Sequence, residues 1–152
     1  MRRAVKITLN LATQSKRSKI DVLLEAYRAA VNFYIRSLWN AYGRLDKETL
    51  ARLDHTRLSA RYKSQALKQA LETVVATRKA AKVIKKYVSV PQFNGSATLD
   101  AKFVTIEEGR GSFDLVIRLS TLNSGQRIVL PTRKTRILNK WLAYPGARLI
   151  QG

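Results

Sequence analysis

The spacing of hydrophobic and polar positions changes twice along this chain. Residues 3–12 alternate, with Val5, Ile7, Leu9 and Leu11 on one side and Lys6, Thr8 and Asn10 on the other. A period of two predicts a half-buried strand. The polar stretch Thr13–Ser18 reads as a loop entering a helix, with Ser15 or Ser18 as its cap. From about residue 18 to 42 the period is helical: Ile20, Leu23, Leu24, Tyr27, Val31, Tyr34, Ile35 and Leu38 form one stripe. Phe33, Trp39 and Tyr42 lie beside it and read as helix–helix contacts before base-stacking platforms, and Gly43 is the expected stop. A mixed connection follows, in which Asp46 caps a short helix carrying Leu50 and Leu53. A second long helix is expected from about residue 60 or 64 to 87, with Leu67, Ala70, Leu71, Val74, Val75, Ala81 and Ile84 toward a partner.

After residue 87 the pattern returns to extended chain. Val88–Gly95 contains Pro91 and ends in a turn. Residues 97–107 hold Phe103, Val104, Thr105 and Ile106; Glu108–Gly111 is a hairpin turn; and Phe113, Leu115, Ile117 and Leu119 alternate with Asp114, Val116 and Arg118. Arg127–Leu130 is a shorter strand closed by Pro131. Thr132 is the expected cap of a helix from Arg133 to Leu142, with Ile137, Leu138, Trp141 and Leu142 inward, and Leu149–Ile150 begins a last strand.

An isolated first strand would leave its backbone groups unpaired, so it is expected to join the strands after residue 96. The fold class is α+β: a small antiparallel β-barrel or sheet, residues 1–14 plus 88–152, interrupted by a helical insertion at 15–87.

Composition sharpens this outline. Twenty-nine Lys and Arg against ten Asp and Glu leave a formal charge of +19 on 152 residues, while 45% of the chain is hydrophobic. The hydrophobic fraction suits a folded core and not a disordered basic tail. Such a charge opposes compaction unless a polyanion neutralises it, and nucleic acid gains affinity from each counterion its phosphates release. Arg78, Lys79, Lys82, Lys85 and Lys86 are the densest block, with no acid among them, at the end of a helix whose dipole favours cations.

Other chemistries are not supported. Cysteine is absent and His55 is the single histidine, which excludes disulfides, zinc ribbons and a histidine metal cluster. No apolar run approaches membrane-spanning length, and the alternating N-terminus is not a signal peptide. A cytoplasmic protein, of the prokaryotic cytosol or nucleoid, is expected. His55 beside Asp54 reads as an exposed connection residue, not part of a triad, and Asp114 as surface charge. No phosphate-cradling glycine loop is present, and Gly109-Arg-Gly111 is a turn. No catalytic residue, metal or cofactor is assigned.

The order of elements, with local sequence, resembles the front end of TnpB proteins and their relatives, the type V CRISPR effector nucleases. Lys6-Ile-Thr-Leu9 is similar to that family's opening strand. Ala26-Tyr27-Arg28 and Val31-Asn32-Phe33-Tyr34 resemble its first recognition-lobe helix, and Ser64–Leu71 the start of its last. Val90-Pro91-Gln92-Phe93 sits where a Pro-x-Phe element re-enters the β domain, and Ile128–Pro131 and Ala147–Ile150 resemble later barrel strands. The resemblance implies a wedge-like β domain with a recognition-lobe-like insertion, which together hold guide RNA, the short target-adjacent DNA duplex and the RNA–DNA heteroduplex. Cleavage in that family belongs to a RuvC-like domain. This sequence stops at Gly152, where that domain would begin, so the resemblance implies a non-catalytic chain whose nuclease lies beyond it or on a separate chain.

Under that resemblance Lys82, Lys85 and Lys86, then Arg78 and Lys79, would line a positive channel. Arg57, Arg61 and Lys63 precede it and would meet a duplex flank, with Arg57 or Arg61 better suited than any lysine to a guanine edge. Arg133, Lys134 and Arg136 crowd a helix start that favours phosphate. The alternative is a stand-alone structural or ribosome-associated RNA-binding protein that reads duplex RNA by shape. A sequence-specific DNA regulator ranks below both, because no short helix-turn-helix spacing is present.

Overall fold

The computed structural model describes residues 6–40, 58–99, 102–122 and 125–148. The expected short helix at Asp46–Leu53, Tyr42, Gly43, His55, Arg57 and the last strand at Leu149–Ile150 lie outside them, as does the start of the first strand. The described residues form α1 (Gln14–Asn40), α2 (Ala60–Ile84), β1 (Val104–Glu108), β2 (Leu115–Ser120), β3 (Arg127–Thr132) and α3 (Arg136–Leu142). This is a small α+β fold with an open three-stranded antiparallel sheet. It divides into two compact units. One is Met1–Ile20, Leu99–Thr121 and Gly125–Gly152; the other is Asp21–Thr98 with Leu122–Ser124.

In the sheet-bearing unit the order is β1-β2-β3. The register pairs Ile106 with Ile117 and Ile117 with Leu130. Opposed residues share a face, so Val104, Ile106, Leu115, Ile117, Leu119, Ile128, Leu130 and Thr132 line one side. Leu115, Leu119, Ile128, Leu130 and Thr132 on that side are buried. The other side carries Glu107 and Arg118, joined by an ion pair at 2.9 Å. The alternation that predicted β2 is realised in this two-faced sheet, except that Phe113 precedes the strand and is 38% exposed. β3 runs through Pro131 to Thr132 and does not stop at the proline. Pro131 is tolerated because β3 has a ladder partner on one side alone within this sheet. At the β1–β2 turn the Gly109 amide donates to the Asp114 carbonyl, and a Cβ on Gly109 would lie 2.1 Å from the Phe113 carbonyl oxygen. No side chain fits there.

Four sequence expectations in this unit are corrected. Residues 6–9 form no ladder and the chain turns at Asn10–Ala12, so the described part of 3–12 is not a strand. It is tied to β3 by one side-chain bond, from the Thr132 hydroxyl to the Thr8 carbonyl at 2.9 Å. Thr132 is thereby occupied and is not a helix cap. Thr135 is the cap, accepting from the Leu138 amide at 3.2 Å, and the helix begins at Arg136. Of its four expected inward residues, only Leu138 is buried, and Ile137 is 63% exposed. Trp141 and Leu142 are half-buried, with the Trp141 ring stacked on Tyr144 at 5.6 Å between centroids. The expected Ser15 and Ser18 caps are also displaced, because α1 starts at Gln14 and encloses both.

The helical unit is built on α1 and α2. The stripe Leu23, Tyr27, Val31, Tyr34, Ile35 and Leu38 is buried as expected, with Ala30 added. On α2 the buried line is Tyr62, Ala66, Ala70 and Val74, at four-residue steps. Leu71, Val75 and Ile84, expected on it, are 42%, 56% and 54% exposed. The small Ala66 and Ala70 admit a close neighbour, whereas the bulkier side chains lie off the contact. Tyr27 meets Tyr62 edge-on at 6.4 Å, and its hydroxyl donates to Gln69 Oε1 at 2.6 Å. Farther along, Arg78 reaches the Trp39 carbonyl at 2.8 Å. Both helices advance together through these pairs, so they run parallel.

Residues 93–98 lie along the groove between the two helices. Asn32 Nδ2 donates to the Phe93 carbonyl and Arg28 Nε to the Gly95 carbonyl, both from α1. Gln69 Nε2 donates to the Ser96 carbonyl and Gln65 Nε2 to the Thr98 carbonyl, both from α2. The chain bends at Gly95, and up to the bend and again beyond it two carbonyls two residues apart meet helix side chains four residues apart. Phe93 and Gly95, up to the bend, serve α1, and Ser96 and Thr98, beyond it, serve α2.

Candidate nucleic-acid interface

α2 carries four of its six cations, Arg61, Lys68, Lys79 and Lys82, on the side away from its buried line. Arg61 and Lys79 are separated by about five helical turns, and Lys68 falls close to the same line. Lys79 and Lys82 continue it, and Lys86 follows just beyond the helix. All five are exposed. Arg61 to Lys82 extends along roughly 32 Å of helix axis. Glu72 is the one acid in α2. Lys68 was not among the residues expected from sequence. Its signal was the seven-residue offset from Arg61, which repeats between Lys79 and Lys86.

The end of α2 concentrates the charge. Lys82 lies in the last turn, and Lys85 caps the helix in the left-handed conformation with φ 53°. Its backbone N–H and that of Lys86 both donate to the Ala81 carbonyl. Three ammonium groups thus gather where unpaired helix carbonyls favour cations. A left-handed lysine costs on the order of 1 kcal/mol relative to glycine, so the geometry is held against its backbone preference.

The remaining candidates separate. Arg78 is partly buried, with its guanidinium 5.1 Å from the Trp39 ring centroid in addition to its bond to the Trp39 carbonyl. It joins α1 to α2 and is turned from the exposed line. Lys63 is half-buried on the packed side of the first turn. Arg133, Lys134 and Arg136 belong to the sheet-bearing unit. Arg133 and Arg136 are exposed, and the Lys134 amide donates to Asp114 Oδ2 at 2.8 Å. Asp114 therefore fastens the turn before β2 to the segment leading into α3, a role its sequence context did not reveal. Arg57 lies outside the described residues.

A depression of about 310 Å³ in the same unit has Glu107, Glu108, Lys134 and Arg148 in its lining. Its mixed charge selects neither anions nor cations. Among the described residues no three His, Cys, Asp or Glu side chains gather where they could hold a metal ion. Among them, too, no helix is long and apolar enough to cross a membrane.

The arrangement can grip a phosphate chain laid along α2 by charge, with lysines acting as point charges that do not discriminate bases. No family model, curated protein or solved structure matches the chain.

Proposed function

We propose that this protein is a nucleic-acid-binding module that holds guide RNA and target duplex through phosphate contacts, as part of an RNA-guided DNA-targeting system. The observation that carries the binding is the exposed cationic line on α2, Arg61–Lys68–Lys79–Lys82, prolonged by Lys85 and Lys86. It lies on a chain of net charge +19, where self-repulsion is relieved by a polyanion. The RNA-guided assignment rests on the resemblance to the wedge and recognition lobe of TnpB-type proteins. It is supported by an α+β chain in which Met1–Ile20 groups with Leu99–Thr121 and Gly125–Gly152 in one unit and Asp21–Thr98 belongs to another, although residues 6–9, the counterpart of that family's opening strand, form no ladder. Cleavage, on this reading, is supplied by a RuvC-like nuclease outside this sequence.

The test is a salt titration of binding to structured RNA, duplex DNA and an RNA–DNA heteroduplex. Replacing Lys79, Lys82 and Lys86 by alanine is expected to flatten the log–log salt slope by about 0.7–0.9 per lost phosphate contact. An unchanged slope removes the α2 line from the interface. Guide RNA should be preferred to random RNA of equal length. Equal affinity for the two, with the salt slope intact, would discard the RNA-guided assignment and leave a shape-reading RNA-binding protein.

A further inference from the structure

We infer that Tyr87 is a base-stacking residue that directs the end of α2 to single-stranded nucleic acid. This deepens the nucleic-acid reading above and rests on it. The buried line of α2 ends at Val74. Beyond the Arg78–Trp39 contact the last turn is exposed: Val83 is 76% exposed, Ile84 54% and Tyr87, just past the helix, 95%. Tyrosine ordinarily buries its ring and bonds its hydroxyl. Among the described residues the Tyr87 hydroxyl has no hydrogen-bond partner, and its ring takes part in no aromatic or cation contact.

The position is constructed. Lys85, the one non-glycine residue with positive φ among those described, ends the helix in a left-handed turn. That turn sends Lys86 and Tyr87 off the helix axis. Lys79–Tyr87 holds four lysines and no acid. A flat ring flanked by ammonium groups offers two complementary contacts, a π-face for a base and charge for the phosphates on either side of it. An acidic protein surface would satisfy the lysines and leave the ring without a matching face. Within a duplex the bases are already stacked and paired. The ring meets a base face only where the strand is open, which makes unpaired nucleotides the favoured ligand. The lysine charge and the stacking are both indifferent to base identity, so little sequence preference is expected.

Fluorescence anisotropy with labelled oligouridine and a blunt RNA duplex of equal charge tests this, with polyglutamate as a protein-like competitor. Tyr87→Ala is expected to weaken oligouridine binding about 5- to 100-fold, the range for loss of one stacked base. Duplex affinity and the salt slope stay unchanged. Tyr87→Phe keeps the ring and should bind oligouridine like the parent. Parental affinity for oligouridine in Tyr87→Ala overturns the inference, and so does equal weakening on duplex and single strand. If Tyr87→Phe is as weak as Tyr87→Ala, the hydroxyl and not the ring is responsible, and stacking is refuted. Tight duplex binding with no Tyr87 dependence refutes stacking but spares the nucleic-acid reading. A parent protein that binds polyglutamate and neither nucleic acid refutes both.

Discussion

Asn32 engages the backbone of Phe93 with both ends of its amide: Nδ2 donates to the carbonyl at 2.9 Å, and Oδ1 accepts from the N–H at 2.7 Å. A side chain on α1 thereby replaces the strand partner that residue 93 would have in a sheet. The segment expected from sequence as extended chain ending in a turn bends at Gly95 and has no ladder of its own.

Asn32→Ala removes both bonds and leaves two partly buried backbone groups without partners. A loss of about 2 kcal/mol is expected in urea unfolding. The Phe93 amide should exchange faster with solvent in the variant. Asn32→Asp keeps the acceptor but places a carboxylate oxygen against the Phe93 carbonyl, so it should recover little of the loss.

The α2 register is tested by a pair of substitutions. Ala70 is fully buried and Leu71 is 42% exposed. Ala70→Leu should overpack the helix contact and cost about 1–3 kcal/mol, while Leu71→Ala stays within about 1 kcal/mol of the parent. The reverse order would restore the leucine-centred face expected from hydropathy.

Arg78 and Lys79 are neighbours with different duties. Arg78→Ala loses a bond to the Trp39 carbonyl and its ring contact, and should lower stability by about 1–2 kcal/mol. Lys79→Ala should leave stability near the parent and flatten the salt slope of nucleic-acid binding by about 0.7–0.9. Thermal unfolding and a salt titration on each variant separate the two.

The two threonines near α3 also divide their work. Thr135→Ala removes the cap and should cost about 1 kcal/mol, with faster exchange of the Leu138 amide. Thr132→Val keeps the shape in β3 but strands the Thr8 carbonyl, and should cost a similar ~1 kcal/mol without affecting that amide.

Alkaline pH probes the tyrosine pair. Burial, reinforced by the charge of Glu72, pushes Tyr27 up to about 12, and burial with Tyr27 beside it does the same for Tyr62. The raised values mean that the folded state holds these protons while the unfolded chain releases them from its ordinary 10. Their contribution is complete below pH 10 and is lost as pH rises toward 12. The stability of the parent relative to Tyr62→Phe should fall through that window by on the order of 1–2 kcal/mol. A difference that stays flat from pH 9 to 12 would show that the ring is not desolvated.

The sequence made β2 legible because strand alternation and opposed residues obey the same period: Leu115 and Leu119 fall where they were expected. The stripe of α1 was legible for the equivalent helical reason. The α2 face was not, because Ala66 and Ala70 carry little hydropathy and Leu71 and Val75 outweighed them. Residues 6–12 alternate without pairing, since alternation records which side is apolar and not whether a neighbour strand exists. Gln65, Gln69 and Asn32 left no periodic trace, because amides that hold backbone lie at the border of an apolar stripe. In the candidate interface the lysine block was plain, while the diversion of Arg78 to Trp39 depends on a neighbour 39 residues away.

The segment from Phe93 to Thr98 works as a vernier. Its side chains can vary, since the helices grip its carbonyls, but its residue count cannot. Removing Asn94 would draw the carbonyls of Gly95, Ser96 and Thr98 out of step with Arg28, Gln69 and Gln65, which hold them now. A region that reads as a permissive connector therefore has a fixed length, and single-residue deletions there should be tolerated less well than substitutions at the same sites.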